Sequence, residues 1–359
     1  MPTRTASRRA APDRTVRLDH LVRLTTPTGL FEHALGSVPR VEHGMCVDDV
    51  ARALVVMARS PHSHPEADTL IRTYLRFVRS AQRPGGLLHN RRSPDGRWLD
   101  EPSADDHWGR AVWALGTAAA HLWDGELAAV ALVGASSALA ARSPHPRATA
   151  YAALGAVQLL RADPRHDGAL RLLDEAHAVL PRSGADPRWP WPDARLTYAN
   201  AVLPEAMIAV ADVFADGDLL ADGLLLLDWL VTEQTVDGHL SVVPAGGRGP
   251  DDARPGFDQQ PIEVAAIAEA AATALRVTRD RRWATVLDRC AAWFEGDNDA
   301  AVPVRDVATG AGFDGLEPSG VNRNQGAEST LAWLACAQLV GSLHVGAPPV
   351  PAGRPAAGR

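Results

Sequence analysis

Carboxylates gather in five stretches of this chain, and each stretch mixes them with amides, arginines or aromatics. The first, TTPTGLFEHALGSVPRVEHGMCVDD, ends on Asp48 and Asp49. The second, GGLLHNRRSPDGRWLDEPSADDHWGR, ends on Asp105, Asp106, His107 and Trp108, with Arg110 just beyond. DPRWPWPDARLTYANAVLPE carries Trp189, Trp191, Asp193, Tyr198, Asn200 and Glu205. FDQQPIE supplies Asp258, Gln259, Gln260 and Glu263. DGLEPSGVNRNQGAES supplies Asp314, Glu317, Asn322, Asn324, Gln325 and Glu328. This is equipment for sugars. Carboxylates, amides and guanidinium groups make paired hydrogen bonds to hydroxyls, and indole rings stack on the apolar sugar face. Cleaving a glycosidic bond then takes two carboxylates, one as acid and one as base or nucleophile.

Composition removes other chemistries. All 36 basic residues are arginine, and there is no lysine. That excludes Schiff-base chemistry, a pyridoxal-phosphate site and a lysine-bearing phosphate loop. A net charge of −7 argues against nucleic acid as a partner. Cys46, Cys290 and Cys336 are scattered. They predict neither a disulfide framework nor a cysteine-rich zinc site, and they fit a reducing compartment. No apolar run reaches the roughly 20 residues of a membrane span. MPTRTASRRAAPDR is followed by no apolar core of a secretory signal. The expectation is a cytoplasmic protein without metal or cofactor. Residues 1–13 and the Pro/Gly/Ala-rich 346–359 are expected to be disordered tails around one domain, 14–345.

The elements that must position these acids read as helices. Helical segments are expected near 14–25, 48–60, 66–82, 104–123, 126–141, 147–161, 168–180, 199–214, 219–234, 258–278, 281–295 and 324–343, with no clear strand or hairpin. Their character alternates. Segments 66–82 and 281–295 are amphipathic. Segments 104–123, 147–161, 199–214, 258–278 and 324–343 are apolar nearly all round, as buried helices are. Twelve helices of alternating character predict an all-α (α/α)6 toroid, six inner helices covered by six outer ones. Outer-to-inner links are long except for 142–146, and structureless loops beyond about 12–15 residues are uncommon unless functional. In a toroid they share one face, so Asp106, Asp258 and Glu328 are expected on that face.

Each residue also has a plainer explanation. Asp48, Asp105 and Asp258 stand where an aspartate caps orphan helix amides. Pro204 and Pro261 read as first-turn prolines. Trp113, Trp293 and Trp333 fall on apolar helices and are expected in the core, whereas Trp189 and Trp191 are expected either in the cleft or packed. Arg110 either pairs with a cleft acid or is an ordinary surface arginine. His62 and His64 lie on the short-link side. Five acid-rich helix starts on one face exceed what capping alone explains.

The motifs LTTPTGLFEHA…HGMCVDDVARAL, DDHWGRAVWALG, LTYANAVLPEAMI, FDQQPIEVAA and DGLEPSGVNRNQGAESTLAWL resemble a bacterial family of all-helical domains. Such domains occur beside, or fused to, glycosyltransferases and mannoside phosphorylases. The resemblance runs from about residue 17 to 343. It implies an (α/α)6 toroid in a carbohydrate setting, with a separately encoded glycosyltransferase as a partner. The chain shows no Gly-rich nucleotide-binding unit of its own, and the resemblance assigns no catalytic pair.

The leading expectation is a glycoside hydrolase acting on an oligosaccharide. Asp106 and Glu328 are the first choice for the acid/base pair, with Glu205 and Asp258 in reserve. The other acids, amides and aromatics named above would bind substrate. A sugar 2-epimerase of the same fold is the alternative enzyme. It needs bases beside a carbonyl, commonly histidines, and the inner-helix starts of the second half carry none; only His107 sits at an inner helix and His239 in a loop. A terpene-type enzyme holding magnesium pyrophosphate on the Asp-Asp pairs would want basic loops. A non-catalytic glycan-binding partner of a glycosyltransferase would need fewer acids.

Overall fold

The structure is a computed structural model, and it describes residues 17–60 and 65–345. The expected tails 1–13 and 346–359, and His62 and His64, lie outside those residues. Among the described residues there are twelve α-helices: α1 (Asp19–Leu24), α2 (Val47–Arg59), α3 (Ala67–Ala81), α4 (Asp106–His121), α5 (Gly125–Ala138), α6 (Pro146–Ala162), α7 (Asp167–Val179), α8 (Val202–Phe214), α9 (Gly217–Glu233), α10 (Pro261–Thr278), α11 (Arg282–Phe294) and α12 (Ala327–Val345). Each matches an expected segment. The even-numbered helices form a closed ring, since each packs on the next and α12 returns to α2. The odd-numbered helices cover it: α3 lies on α2, α5 on α4, α7 on α6, α9 on α8, α11 on α10 and α1 on α12. This is the (α/α)6 toroid. No helix among the described residues is long and apolar enough to cross a membrane.

Apolar residues all round explain the inner ring. Residues 107–118 of α4 and 202–211 of α8 are buried without interruption, which takes water from every face of the helix and rewards close packing. Trp293 of α11 and Trp333 of α12 are fully buried, each against Phe294. The contact of α4 with α6 depends on glycine. A Cβ on Gly116 would lie 2.2 Å from the Gly155 carbonyl oxygen, and one on Gly155 would lie 2.4 Å from that of Val112. The obstacle is backbone and cannot rotate away. Gly155→Ala is therefore expected to destabilise by about 1–3 kcal/mol or more, read as a lower denaturation midpoint. An unchanged midpoint would contradict the close approach.

The expectation of no strands needs correction. Five two-stranded antiparallel pairs sit in the long loops. They are β1 (Thr25–Thr26) with β2 (Gly29–Leu30), β3 (Ala34–Leu35) with β4 (Val38–Pro39), β5 (Met45–Cys46) with β6 (Arg91–Arg92), β7 (Thr235–Val236) with β8 (His239–Leu240), and β9 (Gly315–Glu317) with β10 (Gly320–Asn322). Strands of two or three residues are too short to show a period-two pattern. They stiffen the loops that surround the inner-helix starts. β5 and β6 join the first long loop to the second.

Candidate active site

A polar cleft opens where the inner helices begin. The space open to the centre of a water-sized sphere is about 400 Å3. Asp48, Asp49 and Arg52 of α2, Arg110 of α4, Gln260 before α10, and Glu328 and Ser329 of α12 line it. Loops add Glu32, His33, Cys46, Tyr198, Asp258, Asp314, Asn322 and Gly326.

The acids here are not caps. Aspartate caps the outer helices α5 and α9: Asp124 accepts from the amides of Glu126 and Leu127, and Asp216 from those of Asp218 and Leu219. The residues that precede the inner helices α2, α4, α6, α8 and α10 make no side-chain capping bond, and neither do those that precede the outer helices α1, α3 and α11. For α2 the work is done from outside, by Asn90 Oδ1, which accepts from the amides of Val47 (3.1 Å) and Asp48 (3.3 Å). The carboxylates at these helix starts are thus released for other duties, in the positive field of the helix ends.

Two arginines organise them. Arg110, 4% exposed, donates to Asp48 Oδ1 at 2.6 Å and lies 3.9 Å from Asp106 Oδ2. Its guanidinium also covers the Tyr151 ring, 4.8 Å from the centroid. Asn90 Nδ2 donates to the second oxygen of Asp48 at 2.9 Å. Although burial pushes upward, Arg110 and then Arg52 hold the Asp48 carboxyl below its ordinary value. Arg52 bridges Asp49 (2.5 Å) and Glu328 Oε2 (2.8 Å). Burial outweighs Arg52 at Asp49 and raises that carboxyl. Burial, reinforced by Glu317 and Asp314, also raises Asp258. Gly315 makes room for it, since a Cβ there would lie 2.1 Å from Asp258 Oδ1. That oxygen is buried without a hydrogen-bond partner. Asp314 is raised by burial as well; its Oδ1 accepts from the Gly326 amide (2.7 Å) and Ser329 Oγ (2.9 Å).

Several expected site residues stand elsewhere. Asp106 is not among the lining residues; it accepts a hydrogen bond from the Tyr198 hydroxyl, which is. His107 is buried and bonds the Leu88 carbonyl at 2.8 Å. Trp108 is fully buried and donates to the Ala138 carbonyl. Trp189 and Trp191 pack on Trp229 of outer helix α9, with ring centroids 5.1 and 6.2 Å away. Of the two expected outcomes, cleft or packed, both take the second, because the indole of Trp229 offers them an apolar surface. Gln259 is fully buried and donates to Asp299 at 2.6 Å. Gln325 is buried, and its carbonyl meets His20 Nε2 at 2.7 Å. Asn324 Oδ1 accepts from the Gly36 amide at 3.0 Å, tying the loop before α12 to the loop before α2. Glu205 lies deeper, below the cleft, bonded by Thr273 Oγ1 at 2.9 Å.

Asn200 and Glu263 form a buried pair, with Asn200 Nδ2 donating to Glu263 Oε2 at 2.9 Å. Burial pushes the Glu263 carboxyl up to about 7. A carboxyl raised on folding contributes stability that is fully present below its unfolded value and lost as pH rises through the folded one. Glu263→Gln should therefore match the parent near pH 4 and exceed it above pH 7, by roughly 3 kcal/mol. Urea midpoints at the two pH values check this; equal gaps at both would contradict it.

Glu32, His33, Cys46, Arg52 and Asn90 escaped the sequence reading. Arg52 had a signal, three residues after Asp49 and so on the same helix face. Glu32 and His33 stand in the LFEH motif, too far from a helix start to be noticed. Glu32, Cys46 and Asp49 bring one ligand atom each within 4.8 Å of one another. The charges there are already answered, because Arg91 binds Glu32 at 2.6 Å and Arg52 binds Asp49. Guanidinium groups stand where a cation would.

The fold belongs to a class with many solved members. A sugar epimerase from a ruminal bacterium superposes with a TM-score of 0.66 at 13% identity, covering 91% of this chain and 96% of its own. A cellulase of C. cellulolyticium in complex with cellobiose gives 0.61 at 9% identity, covering 92% and 91%. An α-mannanase from Bacteroides thetaiotaomicron gives 0.57 at 10% identity, covering 84% and 87%. No protein-family model matches the chain, and no curated protein matches it in sequence.

Proposed function

We propose that the chain is a carbohydrate-active enzyme, a glycoside hydrolase acting on an oligosaccharide. One observation carries this: six carboxylates line one space with two arginines and two amides, and those at the start of α2 are not spent on capping. Asp258 serves as proton donor, since burial keeps its carboxyl protonated to higher pH. Glu328 serves as the opposing carboxylate. Its Oε2 is held by Arg52, and its side chain is 39% exposed, the reach a base or nucleophile needs. Asp48 has both oxygens committed, to Arg110 and Asn90; it and Asp106 position Arg110 and Tyr198 around the substrate. Gln260 and Asn322 bind hydroxyls. The cellulase and mannanase among the structural neighbours support the same reading, and the motif resemblance supports a separately encoded glycosyltransferase as partner.

A sugar 2-epimerase is the second reading, favoured by His33, an imidazole in the cleft, and by the epimerase neighbours. A panel of mannan- and glucan-type oligosaccharides separates the two. Hydrolysis raises the number of reducing ends. Epimerisation leaves that number constant and, in D2O, places deuterium at C2. A panel with neither product would leave only glycan binding and overturn the enzymatic reading.

A further inference from the structure

Beneath the cleft, a narrow cavity continues into the toroid. All six inner helices line it: Glu328, Leu331, Ala332 and Ala335 of α12 do so at helical spacing, and Trp113 of α4 and Tyr151 of α6 add aromatic rings to the wall. Positions i, i+3, i+4 and i+7 on one helix form a single face. Seven residues at 1.5 Å each make the cavity about 10 Å deep. The space open to the centre of a water-sized sphere is only about 50 Å3, so over that depth the cavity is a tube about one methylene wide. Alanines keep it open. Ala265 and Ala335 lie mid-helix in the inner ring yet are only partly buried. The Arg52–Glu328 ion pair belongs to both the cleft and the tube and marks where they join. At the far end the apolar lining gives way to Glu205 and to Glu269, which Arg59 binds at 2.6 and 2.9 Å, and both acids also border a second cavity beyond. Burial and the neighbouring Glu269 charge raise the Glu205 carboxyl, so it meets the tube in its uncharged form.

We infer that this tube is a subsite for a slender, unbranched apolar chain attached to the sugar. A polar cleft continuous with a one-chain-wide apolar tube matches an amphiphile: hydroxyls above, methylenes below. A ring or a branched group is too wide, and a bare oligosaccharide leaves the tube empty. This inference rests on the carbohydrate reading of the cleft and narrows its substrate class to alkyl- or acyl-bearing glycosides.

The test is a chain-length series on the full protein. Methyl, butyl, hexyl, octyl and decyl glucosides and mannosides, each below its micelle concentration, are titrated by calorimetry. Affinity should rise about fourfold per methylene and level off near about seven carbons, the length that fills 10 Å. Ala332→Leu puts a branched side chain into the tube and should end the rise at shorter chains. Ala265→Val is the milder variant should the first fail to fold, and the plateau in the parent protein stands without either. Affinity that is flat with chain length, or no binding at any length, overturns the inference. So does a rise that continues to decyl equally in parent and variant, which is surface adsorption. Oligosaccharide turnover with a flat series sinks this inference alone; a chain-length plateau without any sugar chemistry sinks the hydrolase reading alone.

Discussion

Replacing Asp258 by Asn, or Glu328 by Gln, is expected to lower turnover by a factor of at least about 100, with the melting temperature nearly unchanged. Each amide keeps the shape of its parent and removes the proton it gives or takes. Asp258 Oδ1 has no hydrogen-bond partner to lose. Glu328 is the more exposed partner of its ion pair with Arg52, 39% against 13%. The two losses differ with pH. The active form needs Asp258 protonated, so parent activity falls as pH rises through its carboxyl value, which burial, Glu317 and Asp314 all raise. That alkaline limb should vanish in Asp258→Asn and persist, at lower height, in Glu328→Gln. Asp106→Asn should cost less than either, because Asp106 reaches the cleft through Tyr198 and Arg110. A variant of Asp258 or Glu328 that keeps near-normal kcat identifies that residue as structural.

Arg110→Ala should be the most damaging single change to stability, at about 3–5 kcal/mol. The guanidinium is 4% exposed, answers Asp48 at 2.6 Å, and fills the space over the Tyr151 ring. Its loss leaves the Asp48 charge only partly answered, by the Asn90 hydrogen bond and the more distant Arg52, in a site that burial already makes costly. Adding Asp48→Asn should recover part of the loss, since the stranded charge is then gone. Denaturant midpoints of the two single variants and the double variant measure this. Strict additivity would show that Arg110 and Asp48 act independently, against the geometry.

The toroid was legible because burial on all sides leaves a plain mark. AVWALGTAAAHLW and STLAWLACAQLV have no polar face to offer solvent, so their helices belong inside. Loop lengths then put the acids on one face without any knowledge of tertiary contacts. Site membership was legible for residues in the first turn of an inner helix or just before it, such as Asp48, Asp49, Gln260 and Glu328. It was not legible where a partner from another element decided the outcome. Trp189 and Trp191 look free in sequence and are claimed by Trp229. Trp108 sits beside Asp106 in sequence, yet the helix turns it outward to the Ala138 carbonyl. Glu205 stands in the first turn of α8 yet borders the tube, where Thr273 of α10 donates to it. Asn90, which relieves the α2 acids of capping, lies 42 residues from Asp48, and nothing in either segment announces the other.

Hydrolysis of an active oligosaccharide in 18O-labelled water tests the central claim most directly. One 18O per cleaved bond is expected, carried by the anomeric carbon of the released sugar, with the label absent for Asp258→Asn and Glu328→Gln over the same interval. Sugar converted without 18O at a new reducing end, with the number of reducing ends constant, would contradict it.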